Sequence, residues 1–149
     1  MLKPVLDHAW IADHIPHQGS MCLLDRVEAW DEVSISCRAN SHRNDNNPLR
    51  AHGRLGAACG IEYAAQAMAV HGALLAANDN APRAGYLVSV RGTQLHVARL
   101  DDIAADLEVT AICITRSENN ILYEFSLIAA GNLLLEGRAA VIINAELLT

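Results

Sequence analysis

The chain has 149 residues, of which 52% are hydrophobic and 19% charged, a balance that fits one globular domain (1–149) with a full core and excludes a disordered chain. A formal net charge of -6 argues against a nucleic-acid-binding surface. Four scattered cysteines with no CxxC pair exclude a zinc ribbon or a thioredoxin-type motif, and no His, Cys and Asp grouping has metal-ligand spacing, so no bound metal is expected.

The opening MLKPVLDHAW lacks the cationic region and apolar run of a signal peptide, and no stretch reads as a membrane span. The expectation is a cytoplasmic protein with reduced thiols. Residues 7–14 read as a short amphipathic helix and IPHQGS as a turn. MCLLDRVEAW (21–30) and EVSISCRAN (32–40) read as two strands, the second with Val33, Ile35 and Cys37 on one face. A polar loop rich in Asn, Pro and Gly follows at 42–54. A long helix is predicted over roughly 57–77, ended by the breaker cluster NDNAPRAG (78–85). Four further strands are predicted at 86–100, 106–116, 121–131 and 133–144, with SENN and Gly131-Asn132 as hairpin turns and Gly92 marking a bulge.

Six antiparallel strands need one face covered, and the predicted helix is the only element large enough to do it. That helix is apolar nearly all round, as suits a helix enclosed by a sheet, and its many Ala and Gly residues allow close approach. The predicted class is α+β: a hot-dog fold, an antiparallel sheet of about six strands around one long central helix.

Glu62 interrupts this apolar helix. A carboxyl desolvated there would tend to keep its proton, as a general acid requires. Gln66, four residues on, shares its face and reads as an orienting hydrogen bonder. His71, nine residues from Glu62, points to the other side and reads as a satisfied core or interface residue. Unpaired N–H groups at the helix start could receive a carbonyl oxygen. The partner base should be one of seven histidines. His8 and His14 flank a surface helix and His96 lies on a strand surface, which leaves His17, His42 and His52. The cluster Arg38, His42, Arg43, Arg50, His52 and Arg54 could meet an acidic partner or be solvated loop charge.

Three motifs in order resemble a known family. IPHQGSMCLLDRV (15–27) resembles the LPHRxPFLLVDRV opening of 3-hydroxyacyl-acyl-carrier-protein dehydratases of the FabZ type. GIEYAAQAMAVHG (60–72) resembles their central-helix motif, and 89–109 resembles the strand that follows. The combination SHR…NPLR…GRL…GIEYAAQAMAVHG is most similar to the small dehydratases of aryl-polyene-type pathways.

The resemblance implies dehydration of a 3-hydroxyacyl thioester on acyl carrier protein to the trans-2-enoyl thioester, by homodimers or higher homo-oligomers with sites at the interface. It implies no cofactor beyond the carrier's phosphopantetheine arm. It places the acid at Glu62, a helix glutamine at Gln66, and the opening-motif histidine, which follows Pro16, at His17. One departure matters: the FabZ-type loop histidine stands fourteen residues before the glutamate, where this chain has Pro48. His17 is then the first choice of base, with His52 acting across a deletion, or His42, as alternatives; Pro16, His52 and Gln66 are the substrate-binding candidates. A hot-dog thioesterase and a non-catalytic hot-dog subunit paired with an active dehydratase are the competing readings.

Overall fold

The computed structural model describes residues 5–79, 85–117 and 119–143. Helix α1 (His8–His14) is capped by Asp7, whose carboxylate accepts from Trp10 N–H, and it buries Ile11. Strands β1 (Arg26–Trp30) and β2 (Ser34–Ala39) form a hairpin closed by Asp31, whose Oδ1 accepts from Val33 N–H and Ser34 N–H. Helix α2 (Gly60–Asp79) precedes β3 (Gly85–Leu95), β4 (Leu107–Arg116), β5 (Asn120–Ala129) and β6 (Asn132–Ile143). All strand pairs are antiparallel, in the order β1-β2-β4-β5-β6-β3. The sheet curves through several bulges, one of them between Arg91 and Gln94, where Gly92 takes φ +61°. This is the expected hot-dog architecture.

Helix α2 lies against the inner faces of β2, β3, β4 and β5. Tyr63, Ala64, Ala67, Met68 and Val70 are buried there with Ile35, Val109, Phe125 and Leu127 from the strands. Small residues set the spacing: a Cβ on Gly60 would lie 2.7 Å from Leu135 Cδ2.

Several sequence expectations shift. The helix expected over 57–77 runs instead over Gly60–Asp79, after the 3-10 turn Ala57–Cys59. The strand expected at 21–30 starts only at Arg26: Asp25 N–H already donates to Arg38 O of β2 (2.8 Å), but the backbone groups of Met21 and Leu23 are taken up by side chains rather than by a neighbouring strand. Leu23 N–H donates to Gln66 Oε1 (2.9 Å), Met21 O accepts from Gln66 Nε2 (2.8 Å) and Leu23 O accepts from Ser41 Oγ (2.8 Å). The strand expected at 86–100 ends at Leu95, since 98–100 pairs instead with the chain entering α2 through Ala57 N–H to Ala98 O and Leu100 N–H to Leu55 O. The β5–β6 turn sits one residue earlier than expected, at Ala130 (φ 49°) and Gly131 (φ 79°), both left-handed as a type I′ turn requires. Val33 precedes β2 and is exposed, while Ile35 and Cys37 face the core as expected. The 78–85 breaker lies largely outside the described residues, as does part of the SENN turn, where Ser117 N–H donates to Asn120 O.

Two histidines are wholly buried. His71 Nε2 donates to Asp31 O (2.8 Å) and its Nδ1 accepts from Tyr123 Oη–H (2.6 Å), which ties the back of α2 to β5 and to the β1–β2 turn. His42 Nε2 faces the carbonyl oxygens of Ile103 and Ala105, both at 3.0 Å. Burial holds both imidazoles below the usual histidine range and so keeps them neutral.

Two predictions follow from this packing. The unfolded chain binds protons at His42 and His71 near pH 6.5 and the native chain resists them, so stability is full above that pH and falls as pH drops through it, by up to about 1.4 kcal/mol per pH unit per group. Urea midpoints at pH 7.5 and 5.5 should show the loss, and His71→Gln should shrink it. Asp31 and Asp101, held below the usual carboxylate range by hydrogen bonds from the Val33 N–H and the Arg99 guanidinium respectively, lose their contribution only at pH below about 4, outside that window. Gln66→Leu strands Leu23 N–H and Met21 O and should cost on the order of 2–4 kcal/mol in a urea titration.

Candidate active site

The turn after α1 and the first turn of α2 meet at one place. Helix α1 ends at His14 and is followed by its C-cap Ile15, which is buried; Pro16 is exposed, and Gly19 at φ +59° bends the chain into the 3-10 turn Gly19–Met21. His17 is thereby turned toward α2, where Glu62 occupies the first turn, a favourable position for an acidic side chain beside the helix N-terminus. His17 Nε2 lies 3.0 Å from Glu62 Oε1. Gln66 Nε2 donates to the same oxygen at 3.3 Å. Gln66 is fully buried and its own carbonyl is occupied by Leu23 N–H, so its amide nitrogen faces Glu62.

The environment of Glu62 differs from the sequence expectation. Its side chain is 34% exposed and that of His17 25%, so the carboxyl emerges at the edge of the apolar helix instead of being enclosed by it. Contact with His17 and Gln66, not exclusion from water, defines the group. His17 Nδ1 is buried and makes no hydrogen bond among the described residues, so Glu62 is the polar group that orients the ring.

The other candidates are elsewhere. His52 is exposed in the turn Ala51–Arg54 with φ 54°, and it bonds to neither Glu62 nor His17. His42, in the 3-10 turn Ser41–Arg43, is fully buried and committed to the carbonyls of Ile103 and Ala105. His71 serves the core, and His96 pairs on the surface with Glu136 (3.0 Å). Near the helix start, the N–H groups of Ala57, Cys59 and Gly60 are bonded to Ala98, Gly56 and Ala57 carbonyls, so they are not free to receive a carbonyl oxygen.

The basic cluster is largely neutralised: Arg38 pairs with Glu28 and Glu108, Arg43 with Asp106, and Arg50 donates to His42 O. The Arg54 side chain is exposed and unpaired among the described residues. No described group of His, Cys, Asp and Glu could hold a metal ion, and no described helix is long and apolar enough to cross a membrane.

Sequence reasoning missed Ser41, Tyr63 and Asn47. They form a polar cluster beneath the 41–47 loop, beside a cavity of about 240 Å³ lined by Asn40, Asn44, Asn46 and His8. The SHR and NPLR stretches were the signal that could have found it.

The fold is similar to several solved structures. The dehydratase heterocomplex ApeI:P from Xenorhabdus doucetiae matches with a TM-score of 0.81 at 20% identity, over 92% of this chain and 92% of that one. A thioesterase mutant from Pseudomonas aeruginosa matches with a TM-score of 0.60 at 13% identity over 79% of each chain. A hypothetical thioesterase with coenzyme A from Streptococcus pneumoniae matches at 0.57 and 11% identity, over 80% of this chain and 84% of that one. No curated protein sequence matches. A family model for the ApeP dehydratase matches residues 9–148, so the chain belongs to the ApeP-like dehydratase family, the aryl-polyene-type hot-dog dehydratases that its motifs resemble.

Proposed function

We propose that the His17–Glu62 pair dehydrates a 3-hydroxyacyl thioester presented on the phosphopantetheine arm of an acyl carrier protein. The observation that carries this reading is the 3.0 Å contact between an imidazole and a carboxyl at an exposed edge of the central helix, in a chain of a dehydratase family. Dehydration needs a base for the C2 proton and an acid for the C3 hydroxyl. Two groups sharing one hydrogen bond can divide those tasks once the substrate's C2–C3 unit enters between them. His17 takes the C2 proton, the electron pair forms the C2–C3 double bond, and the C3–O bond breaks as Glu62 delivers its proton, releasing water. The products are a trans-2-enoyl thioester and water, and the pair is reset when the proton passes from His17 back to Glu62. Gln66 keeps Glu62 facing the imidazole. The Arg54 side chain is a candidate contact for an acidic carrier.

A second reading is a subunit that works only beside another hot-dog chain. It is supported by the likeness to a dehydratase heterocomplex and by the edge position of β3, whose outer backbone groups can pair with another strand. A hot-dog thioesterase, in which Glu62 would activate water, is the third.

Purified protein assayed alone with a 3-hydroxyacyl carrier protein separates the readings: enoyl product supports the first, turnover only after a partner chain is added the second, and free acid the third. Glu62→Gln and His17→Ala should each lower kcat/KM by about 10²–10⁴-fold while the urea midpoint stays near that of the parent protein. Loss of turnover in His52→Ala, with His17→Ala still active, would overturn the choice of base.

A further inference from the structure

The SHR and NPLR stretches take no part in that chemistry, yet their polar side chains are closely engaged. Ser41 Oγ donates to Leu23 O (2.8 Å), so the Tyr63 hydroxyl, 2.8 Å away, donates to Ser41 Oγ. Asn47 Nδ2 donates to the Tyr63 oxygen (3.0 Å) and to Ser41 O (2.9 Å). Tyr63 is fully buried and directly follows Glu62 on α2, and Asn47 is 6% exposed.

Leu23 joins this cluster to the active pair. Its carbonyl is held by Ser41 and its N–H by Gln66 Oε1, and the Gln66 amide nitrogen reaches Glu62 Oε1, which contacts His17. An unbroken run of contacts therefore leads from Asn47 through Tyr63, Ser41, Leu23, Gln66 and Glu62 to His17. The segment around Leu23 precedes β1 and joins the sheet only at Asp25, whose N–H donates to Arg38 O (2.8 Å), while His8 Nδ1 donates to Leu24 O (2.8 Å). The two backbone groups of Leu23 itself are held by Gln66 from one side and Ser41 from the other.

We propose that Ser41 and Tyr63 are positioning residues that set the geometry of the His17–Glu62 pair through Leu23 and Gln66. Neither touches a reacting atom. Removing the Ser41 hydroxyl leaves Leu23 O without its donor and the Tyr63 hydroxyl without its acceptor, and the segment carrying Met21 and Leu23 shifts against Gln66. A displacement on the scale of 1 Å at a catalytic pair can cost up to about 10²-fold in rate. The kinetic arm of the test rests on the dehydratase reading; the spectroscopic arm does not.

The test compares the parent protein with Ser41→Ala, Ser41→Thr and Tyr63→Phe. Steady-state kinetics use a 3-hydroxyacyl carrier protein, and NMR follows the His17 imidazole through a pH titration, with His17→Gln giving its assignment. Ser41→Ala should lower kcat roughly tenfold or more with KM little changed, and should move the His17 titration. Ser41→Thr, which keeps the hydroxyl, should restore both, and Tyr63→Phe should move the titration in the same direction. A folded Ser41→Ala with parental kcat and an unmoved His17 titration overturns the proposal, as does a defect that Ser41→Thr fails to repair. If the parent protein does not turn over the thioester, the dehydratase reading fails and the imidazole titration alone decides the positioning role. If Ser41→Ala does not fold, Tyr63→Phe carries the same two readouts.

Discussion

A single buried amide organises this molecule. Gln66 sits inside the sheet on the central helix and is fully shielded, so every polar atom it carries must find a partner. It takes Leu23 N–H on its carbonyl and gives its amide hydrogens to Met21 O and Glu62 Oε1. Those bonds replace the strand pairing that the apolar segment 21–24 would otherwise seek. They hold the turn carrying His17 against the helix carrying Glu62, so this buried amide is also the group that brings the two side chains together.

The carboxyl itself is governed by contact rather than by dryness. An acid in a run of Ala, Ile, Val and Met suggests a desolvated group, but a helix enclosed by a sheet still presents one edge where the wrapping opens, and Glu62 lies at that edge. His17 lies at hydrogen-bond distance from it, and the Gln66 amide donates to the same carboxyl oxygen. This is the contact on which the proposed proton transfer rests.

Much of the architecture was legible in the chain. The breaker around 42–54, the apolar helix and the alternating strands describe a sheet wrapped on one helix, because periodicity reports which faces must leave water. The role of His71 as a satisfied core histidine and the bulge at Gly92 were also legible, since each follows from spacing along one element. Pairing between distant segments was not. The strand expected from Met21 gave way to side-chain bonds from Gln66 and Ser41, and the strand expected to reach Leu100 was cut short when its end paired with the chain entering α2. His42, a polar residue in a polar loop, turned out to be buried against two carbonyls, which its local sequence does not signal.

The amino-acid sequence by itself determined the helix, the strand order along the chain, the family and the pair of residues worth watching, because these depend on local pattern and on motifs read in sequence. The tertiary structure alone decided that His17 and Glu62 touch, that His42 and His52 stand apart from them, and that Ser41, Tyr63 and Asn47 connect to them through Leu23 and Gln66. The reason is physical: a hydrogen bond depends on distances of a few tenths of an ångström between groups far apart in the chain, and only the packing of helix against sheet sets those distances.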